Sequence, residues 1–325
     1  MTSPALLTVD VHLTAADLDA ALRADVRRGL TSPPRWLPPK WFYDERGSRL
    51  FADITELPEY YPTRCETQIL AARAEEIAER VRGPVLVELG AGFSTKTRLL
   101  LGAGLRSGAL TKFVPVDVDE STLREASSSI AHEYEGLAVH AIVGDFEHHL
   151  PHLPGGGRRL VAFLGGTIGN LDPAERTLFL AALAEVLEPG DALLLGTDLV
   201  KDTDRLVAAY DDSAGVTAAF NRNVLRVINR RLDAGFVPDR FEHVALWDAE
   251  QEWIEMRLRS TVRHTVDIEG LPLAIEFDKG DEIRTEISAK FRREGVEAEL
   301  GAAGFTLDRW WTDSAGDFAL SLSFL

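Results

Sequence analysis

Several short stretches of this sequence carry residue types at spacings that could do chemistry. Glu88-Leu-Gly-Ala-Gly92 sets an acid just ahead of two glycines, between the apolar run Val85-Leu-Val87 and a segment with Thr97, Leu99 and Leu100 at helical positions. That pattern reads as strand, tight turn and helix. Glycines at such a turn let the backbone bend sharply and let a ligand approach with no Cβ in the way, and the expected ligand is a nucleoside. A dinucleotide fingerprint would require a third glycine three residues after the second, where Thr95 stands, so a nicotinamide cofactor is disfavoured. Lys112 to Asp119 is a second apolar run, ending in acids. A carboxylate there can accept from both hydroxyls of a ribose, with Asp117 the better candidate and Asp119 the spare. In Gly144-Asp-Phe146, Asp145 could accept from an adenine amino group while Phe146 lies against the ring. Leu160 to Asn170, with Gly165, Gly166 and Thr167 in its turn, would border the reacting centre, because active sites of open parallel sheets lie at the carboxyl ends of the strands.

The elements that must position these residues follow from the periodicity. Strand and helix patterns alternate five times from Val85 to Asp198, and right-handed crossovers then force a parallel, doubly wound sheet. An Ala- and Glu-rich helix from Glu66 to Arg82 leads into the glycine turn. A last helix, Gly295 to Ala303, and two strands, Phe305 to Thr312 and Phe318 to Phe324, close the fold, the strands joined by an Asp-Ser-Ala-Gly-Asp turn that suits an antiparallel pair. About ninety residues, 200 to 290, are therefore inserted before the last helix and read as a second lobe. It begins with helical segments and continues with strands at Phe241 to Trp247, Trp253 to Thr261, His264 to Ile268 and Leu273 to Phe277. Near the start, residues 1–13 read as a loose lead-in, and Thr14-Ala-Ala-Asp17 as the cap of an amphipathic helix. A proline-stiffened, aromatic passage follows, from which Tyr43 and Tyr60 stand out by their phenolic hydroxyls.

Composition narrows the class. The 325-residue chain has a net charge of -17, which argues against a nucleic-acid groove and for small or cationic ligands. Its one cysteine, Cys65, excludes an internal disulfide, and no Cys/His cluster has metal-ligand spacing. With no basic leader and no long apolar run, the expected place is the cytoplasm, without a membrane partner.

The acid before the glycines resembles the first motif of the seven-stranded methyltransferases that use S-adenosylmethionine. Taken together, Pro58-Glu-Tyr-Tyr-Pro-Thr-Arg64, Gly165-Gly-Thr-Ile-Gly-Asn170, Ala219-Phe-Asn-Arg-Asn223 and Thr285-Glu-Ile-Ser-Ala-Lys290 are similar to the histidine-specific methyltransferases of ergothioneine biosynthesis, over nearly the whole chain. The resemblance implies an α/β, doubly wound, seven-stranded class I methyltransferase fold (residues 64–199 plus 291–325) with an inserted α+β substrate-binding lobe (14–63 plus 200–290). It implies trimethylation of the L-histidine α-amino group to hercynine, with S-adenosyl-L-methionine as donor, acting on histidine and its mono- and dimethylated intermediates; the chemistry needs no metal, and a monomer is expected.

By matched position, the resemblance assigns Asn170 and Tyr210 to the substrate carboxylate with Gly165 close by, and Tyr60 to the pocket wall near the ring. Glu286 and Ser288 would grip the two imidazole nitrogens, with Met256 and Phe51 packed around them. Tyr43 would approach the amino group through water and also touch the cofactor, along with Gly90, Lys96, Asp117, Asp145 and Phe146. The residue chemistry agrees. Glu286 and Ser288 are two apart and share a face of an extended segment, and an imidazole offers an N-H to a carboxylate and a second nitrogen to a hydroxyl that can donate or accept. Methylation of another amino acid or amine, a protein substrate, and a non-catalytic binding module are the competing readings.

Overall fold

The computed structural model describes residues 7–325, and the first part of the expected lead-in, residues 1–6, lies outside the described residues. In chain order the strands are β1 (Leu7–Val11), β2 (Arg35–Trp36), β3 (Val85–Leu89), β4 (Lys112–Asp117), β5 (Ala138–Val143), β6 (Arg159–Phe163), β7 (Ala192–Asp198), β8 (Phe241–Asp248), β9 (Trp253–Ser260), β10 (His264–Ile268), β11 (Leu273–Phe277), β12 (Glu282–Ala289), β13 (Thr306–Thr312) and β14 (Phe318–Phe324). The helices are α1 (Ala15–Leu30), α2 (Glu45–Thr55), α3 (Pro62–Val81), α4 (Thr97–Arg106), α5 (Glu120–Glu133), α6 (Pro173–Val186), α7 (Thr203–Ala208), α8 (Val216–Leu232) and α9 (Arg293–Ala302). The chain divides into two compact units: residues 7–13, 62–200 and 291–325, and residues 14–61 and 201–290.

In the first unit the strands form one sheet in the order β1-β5-β4-β3-β6-β7-β14-β13. Neighbours from β1 to β7 run parallel, while β14 is antiparallel to both β7 and β13. From β5 to β13 this is the doubly wound, seven-stranded arrangement that the sequence led us to expect. The chain order reverses between β3 and β6, so the turns after β3, β4, β5 and β6 gather around a topological switch point. Every residue of β3 and of β7 is buried, as expected of parallel strands covered on both faces.

The sheet has one strand more than expected. Leu7–Val11 is not a loose lead-in but pairs in parallel along β5, from Leu7 opposite Val139 to Val11 opposite Val143. Its apolar alternation is only five residues long, too short to read alone, and its anchor is tertiary: Val9 packs on the buried cluster Ala91, Leu123, Ala141 and Val143. Helix α3 also begins earlier than expected, at Pro62, where a missing N-H costs nothing in a first turn.

In the second unit β2, β12, β9 and β8 form a four-stranded sheet, and β10 and β11 a separate antiparallel pair. The capping box of α1 forms as expected, with the Thr14 and Asp17 side chains each accepting from the other's backbone N-H. The expected strands β8 to β11 are present, but β12 runs the whole length from Glu282 to Ala289 and was legible only around Glu286 and Ser288. Its charged residues, Glu282, Arg284 and Glu286, disguise a strand held between two others. A bulge lies between Arg284 and Glu286: Arg284 pairs with Arg257, whereas Glu286 pairs with Met256, the very next residue along β9. Among the described residues no helix is long and apolar enough to cross a membrane.

At the amino end of the first unit's central strands, Asp191 ties β6 to β7. Its Oδ1 accepts the Arg159 backbone N-H at 2.7 Å, and its Oδ2 accepts the Arg159 guanidinium at 2.7 Å and the Glu188 N-H at 2.9 Å. Both side chains are almost fully buried. Asp191→Ala would leave the guanidinium buried and uncompensated, and we expect it to cost about 3 to 5 kcal/mol in urea unfolding. A loss below about 1 kcal/mol would mean that water reaches the pair.

Candidate functional site

The glycine turn after β3 owes its shape to backbone geometry. Gly90 and Gly92 have φ of +69° and +49°, and a Cβ at either would meet no atom within 4 Å. Left-handed conformation rather than crowding therefore selects glycine, and the space in front of the turn is open. Its position is set by Asp117 at the end of β4, whose Oδ2 accepts the Gly92 N-H at 2.8 Å and whose Oδ1 accepts the Asp119 N-H at 3.0 Å. Burial pushes the Asp117 carboxyl above its usual value, against these two N-H donors. The Asp119 side chain is engaged elsewhere, as the N-cap of α5, accepting from Ser121 and Thr122.

Two carboxylates that are fully buried, unlike the half-buried Asp117, lie beneath the turns. Glu88, within β3, accepts from the Ser94 hydroxyl at 2.9 Å and from the Thr97 hydroxyl. Burial raises its pKa to about 7 despite these hydroxyls. Glu66 of α3 is wholly buried; it is paired with Lys96 and accepts the Gly165 N-H at 2.8 and 3.0 Å. An ideal Cβ on Gly196 of β7 would lie 2.2 Å from its Oε1, so glycine there is what admits the carboxylate. Gly165 and Gly166, with φ of +78° and +71°, then lead into the single turn Thr167–Asn170. In the loop after β5, Asp145 is buried and accepts the Glu147 N-H at 2.9 Å. The half-buried Phe146 ring packs edge-on to Phe163 and Phe179, 5.1 and 5.7 Å away.

The second unit holds the other group of expected residues. Tyr43 is 39% exposed and meets Phe51 and Phe220 edge-on at 5.7 and 5.5 Å. The row of rings continues from Phe51 to Tyr60 at 6.2 Å and from Tyr60 to Tyr210 at 6.4 Å. Residues directly opposite in a sheet share a face, so the bulge puts Glu286 beside Met256 and Ser288 beside Ile254, on the face that also carries Ile283 and Leu258. Were the register regular, with Thr285 opposite Met256, that face would carry Thr285 and Ile287 instead. The Ser288 hydroxyl lies 2.7 Å from the Tyr210 hydroxyl, and the buried Lys290 ammonium donates to both, at 2.8 and 3.0 Å.

Behind these residues is a polar network. The Thr285 hydroxyl donates to the Asn221 carbonyl oxygen at 2.7 Å, the Asn221 amide faces His243 Nδ1 at 2.8 Å, and His243 Nε2 faces the Tyr210 carbonyl at 2.7 Å. Burial lowers the His243 pKa; a neutral ring with its proton on Nε2 satisfies both contacts.

The structure thus brings Gly90, Lys96, Asp117, Asp145, Phe146, Gly165 and Asn170 to the carboxyl-edge turns of the first unit. It brings Tyr43, Phe51, Tyr60, Tyr210, Met256, Glu286 and Ser288 to the aromatic row and inner sheet face of the second. Glu66, Lys290, Asn221 and His243 were not singled out from the sequence. Glu66 sits in a helix rich in surface acids, and nothing local marks it as buried; Lys290 and Asn221 at least lie inside quoted motifs.

Over residues 22–324 the chain matches the model of a family described as histidine-specific methyltransferase, SAM-dependent. It is 58% identical over 317 residues to a histidine N-alpha-methyltransferase of Mycobacterium tuberculosis, covering 98% of this chain and 99% of that protein. Its identity to the protein of the same name from Mycolicibacterium smegmatis is 56%, with the same coverage. Ergothioneine biosynthesis protein 1 of Neurospora crassa is 29% identical over 311 residues, 94% of this chain but 35% of the fungal protein.

Glu88 gives a pH signature. Its folded pKa, about 7, lies above the ordinary 4.5, so the stability it contributes is fully present below the unfolded value and is lost as pH rises through the folded one. The urea midpoint of the wild-type chain should fall relative to that of Glu88→Gln between about pH 4.5 and pH 7, then run parallel to it. Parallel curves across the whole range would show that Glu88 titrates as an ordinary carboxyl.

Proposed function

The chain belongs to the histidine-specific, S-adenosylmethionine-dependent methyltransferase family, and from that premise we propose that it trimethylates the α-amino group of L-histidine to hercynine, the first step of ergothioneine biosynthesis. We also take it to act as a cytoplasmic monomer. The observation that carries the reading is the pairing of Glu286 and Ser288 beside Met256 on one face of β12 and β9. A carboxylate and a hydroxyl two residues apart match the two nitrogens of an imidazole, and the thioether supplies a polarizable contact for the ring.

The first unit's turns fit the adenosyl group. Open space fronts Gly90 and Gly92, and the Asp117 carboxylate, already holding the Gly92 and Asp119 N-H groups, is assigned to the ribose hydroxyls. Asp119 is spent on the α5 cap, which favours Asp117 for that role. Asp145 and Phe146 are assigned to the adenine, and Lys96, held by Glu66, to the methionine end.

Bound S-adenosylmethionine supplies an electrophilic methyl carbon: a nitrogen-carbon bond forms as the carbon-sulfur bond breaks, and its electron pair leaves on the thioether S-adenosylhomocysteine. The chain's residues must hold the amine in line and free its lone pair. Tyr43, at the exposed end of the aromatic row, is assigned to orienting the amine and passing its proton to water. Tyr210, Asn170 and Gly165 are assigned to the substrate carboxylate, while Tyr60 and Phe51 wall the pocket. Starting from the ammonium form, three transfers release three protons, and the product nitrogen carries no N-H. Contacts around that nitrogen must then act by shape rather than by fixed acceptors.

Incubation with S-adenosylmethionine and histidine should give hercynine and three equivalents of S-adenosylhomocysteine by mass spectrometry, with tyrosine and tryptophan left unmethylated. Comparable turnover of either competitor would overturn the substrate. Glu286→Ala should weaken histidine binding by about 1 to 3 kcal/mol in calorimetry and leave cofactor affinity unchanged, and Asp117→Ala should do the reverse. Equal losses of both ligands in either variant would mean that the residue is structural.

A further inference from the structure

Tyr43 is presented by a backbone bend too weak to hold it alone. With φ of -87° and ψ of +83°, it is the middle residue of an inverse γ-turn, closed by the Asp44 N-H on the Phe42 carbonyl at 3.2 Å. A hydrogen bond across so small a ring is bent, and bent bonds are weak. A side chain from α8 supplies what is missing. Asn223 Nδ2 donates to that same Phe42 carbonyl at 3.1 Å and to Asp44 Oδ1 at 2.8 Å, so one amide group holds the residues on both sides of Tyr43. Both partners are acceptors, so the amide nitrogen, and not its oxygen, must face them.

The surroundings are built around this contact. A Cβ on Gly47, in the first turn of α2, would lie 1.8 Å from the Phe42 oxygen and 3.1 Å from Asn223 Nδ2, so glycine there is what lets carbonyl and amide meet. Asp44 caps α2 by accepting the Gly47 N-H at 2.7 Å, and its Oδ2 takes the Arg230 guanidinium at 2.5 Å. Against the opposing effect of burial, Arg230, Gly47 and Asn223 keep the Asp44 carboxyl below its usual range. Phe220, Asn223 and Arg230 follow one another at helical spacing along one face of α8. The first meets the Tyr43 ring at 5.5 Å, the second the flanking backbone, the third the carboxylate beyond. Asn223 is wholly buried, and no donor among the described residues reaches its Oδ1. An apolar side chain would fill the space at less cost, so stability does not account for the amide.

Resting on the assignment of Tyr43 to the substrate amine, we propose that Asn223 is a positioning residue for methyl transfer: it fixes the backbone that carries Tyr43, and with it the place of the phenolic hydroxyl. It acts through Tyr43 rather than on a ligand. Histidine affinity is assigned to Glu286 and Ser288, so the loss of Asn223 should fall on the rate rather than on substrate binding.

Kinetics of histidine methylation test this in wild type, Asn223→Leu, Tyr43→Phe and the double variant. Leucine is close to asparagine in size and withdraws both donors, while Phe42 and Asp44 keep their other ones. The kcat of Asn223→Leu and of Tyr43→Phe should each fall about tenfold, with histidine affinity, measured beside S-adenosylhomocysteine, within about twofold of wild type. The double variant should be slower than Tyr43→Phe by no more than about twofold, because a residue that acts through a hydroxyl has no effect once the hydroxyl is gone. An Asn223→Leu kcat within about twofold of wild type, or a loss of about tenfold retained in the Tyr43→Phe background, overturns the inference. So does a fall in histidine affinity as large as that in kcat, which would mark Asn223 as structural. Should Asn223→Leu not fold, the exposed Arg230 decides: Arg230→Met should lower kcat about threefold in the wild type and leave Tyr43→Phe unchanged, and an unaltered wild-type rate overturns the inference. Tyr43→Phe at the wild-type rate overturns the role of Tyr43 and the inference together while the substrate stands. No hercynine from the wild-type chain overturns the substrate as well.

Discussion

A carboxylate taken wholly or partly out of water must find its hydrogen-bond donors inside the protein, and the first unit is organised around four that do so. Asp191 closes the amino end of the sheet with Arg159. At the other end Glu88, Asp117 and Glu66 each collect donors from the turns that a ligand would meet: Ser94 and Thr97, the N-H groups of Gly92 and Asp119, and Lys96 with the Gly165 N-H. Leaving any of these donors unmet costs more than the bond itself contributes. The turns are therefore held by groups that are buried first and available for chemistry second. Preorganisation of this kind is what an in-line displacement asks of a protein.

The second unit applies the same rule with different groups. Its inner sheet face sets Glu286, Ser288 and His243 among Ile283, Leu258, Met256 and Ile254, a polar break in an apolar surface. Behind that break a network from Thr285 through Asn221 and His243 reaches the backbone of Tyr210, whose hydroxyl returns to Ser288 and Lys290. A satisfied network of this sort fixes rotamers that a purely apolar core would leave free.

Much of the fold was legible because parallel strands buried on both faces are long apolar runs, and turns at their carboxyl ends are rich in glycine. β3, β4, β6 and β7 could be read in this way, and the late helix and hairpin followed from their spacing. β1 could not, since five alternating residues fit a tail as well as an edge strand, and only its packing against Ala91 and Val143 decides. β12 was half legible, because charges suggest a surface segment unless the neighbours that neutralise them are known. Glu282 illustrates this: it lies between Arg257 and Arg259, which hold its carboxyl below the usual range against the opposing effect of burial.

By itself the sequence determined the doubly wound topology, the glycine turn with its acid, and the pairing of Glu286 with Ser288, because alternation and turn chemistry are local properties of the backbone. Which face of the sheet that pair occupies was decided by the bulge at Thr285. That Ser288 meets the Tyr210 hydroxyl as well as its near neighbour Lys290 was decided by the fold, which brings Tyr210 in from a distant part of the chain. Register and hydrogen-bond partnership depend on residues far away in sequence, and they exist only once the chain has closed on itself.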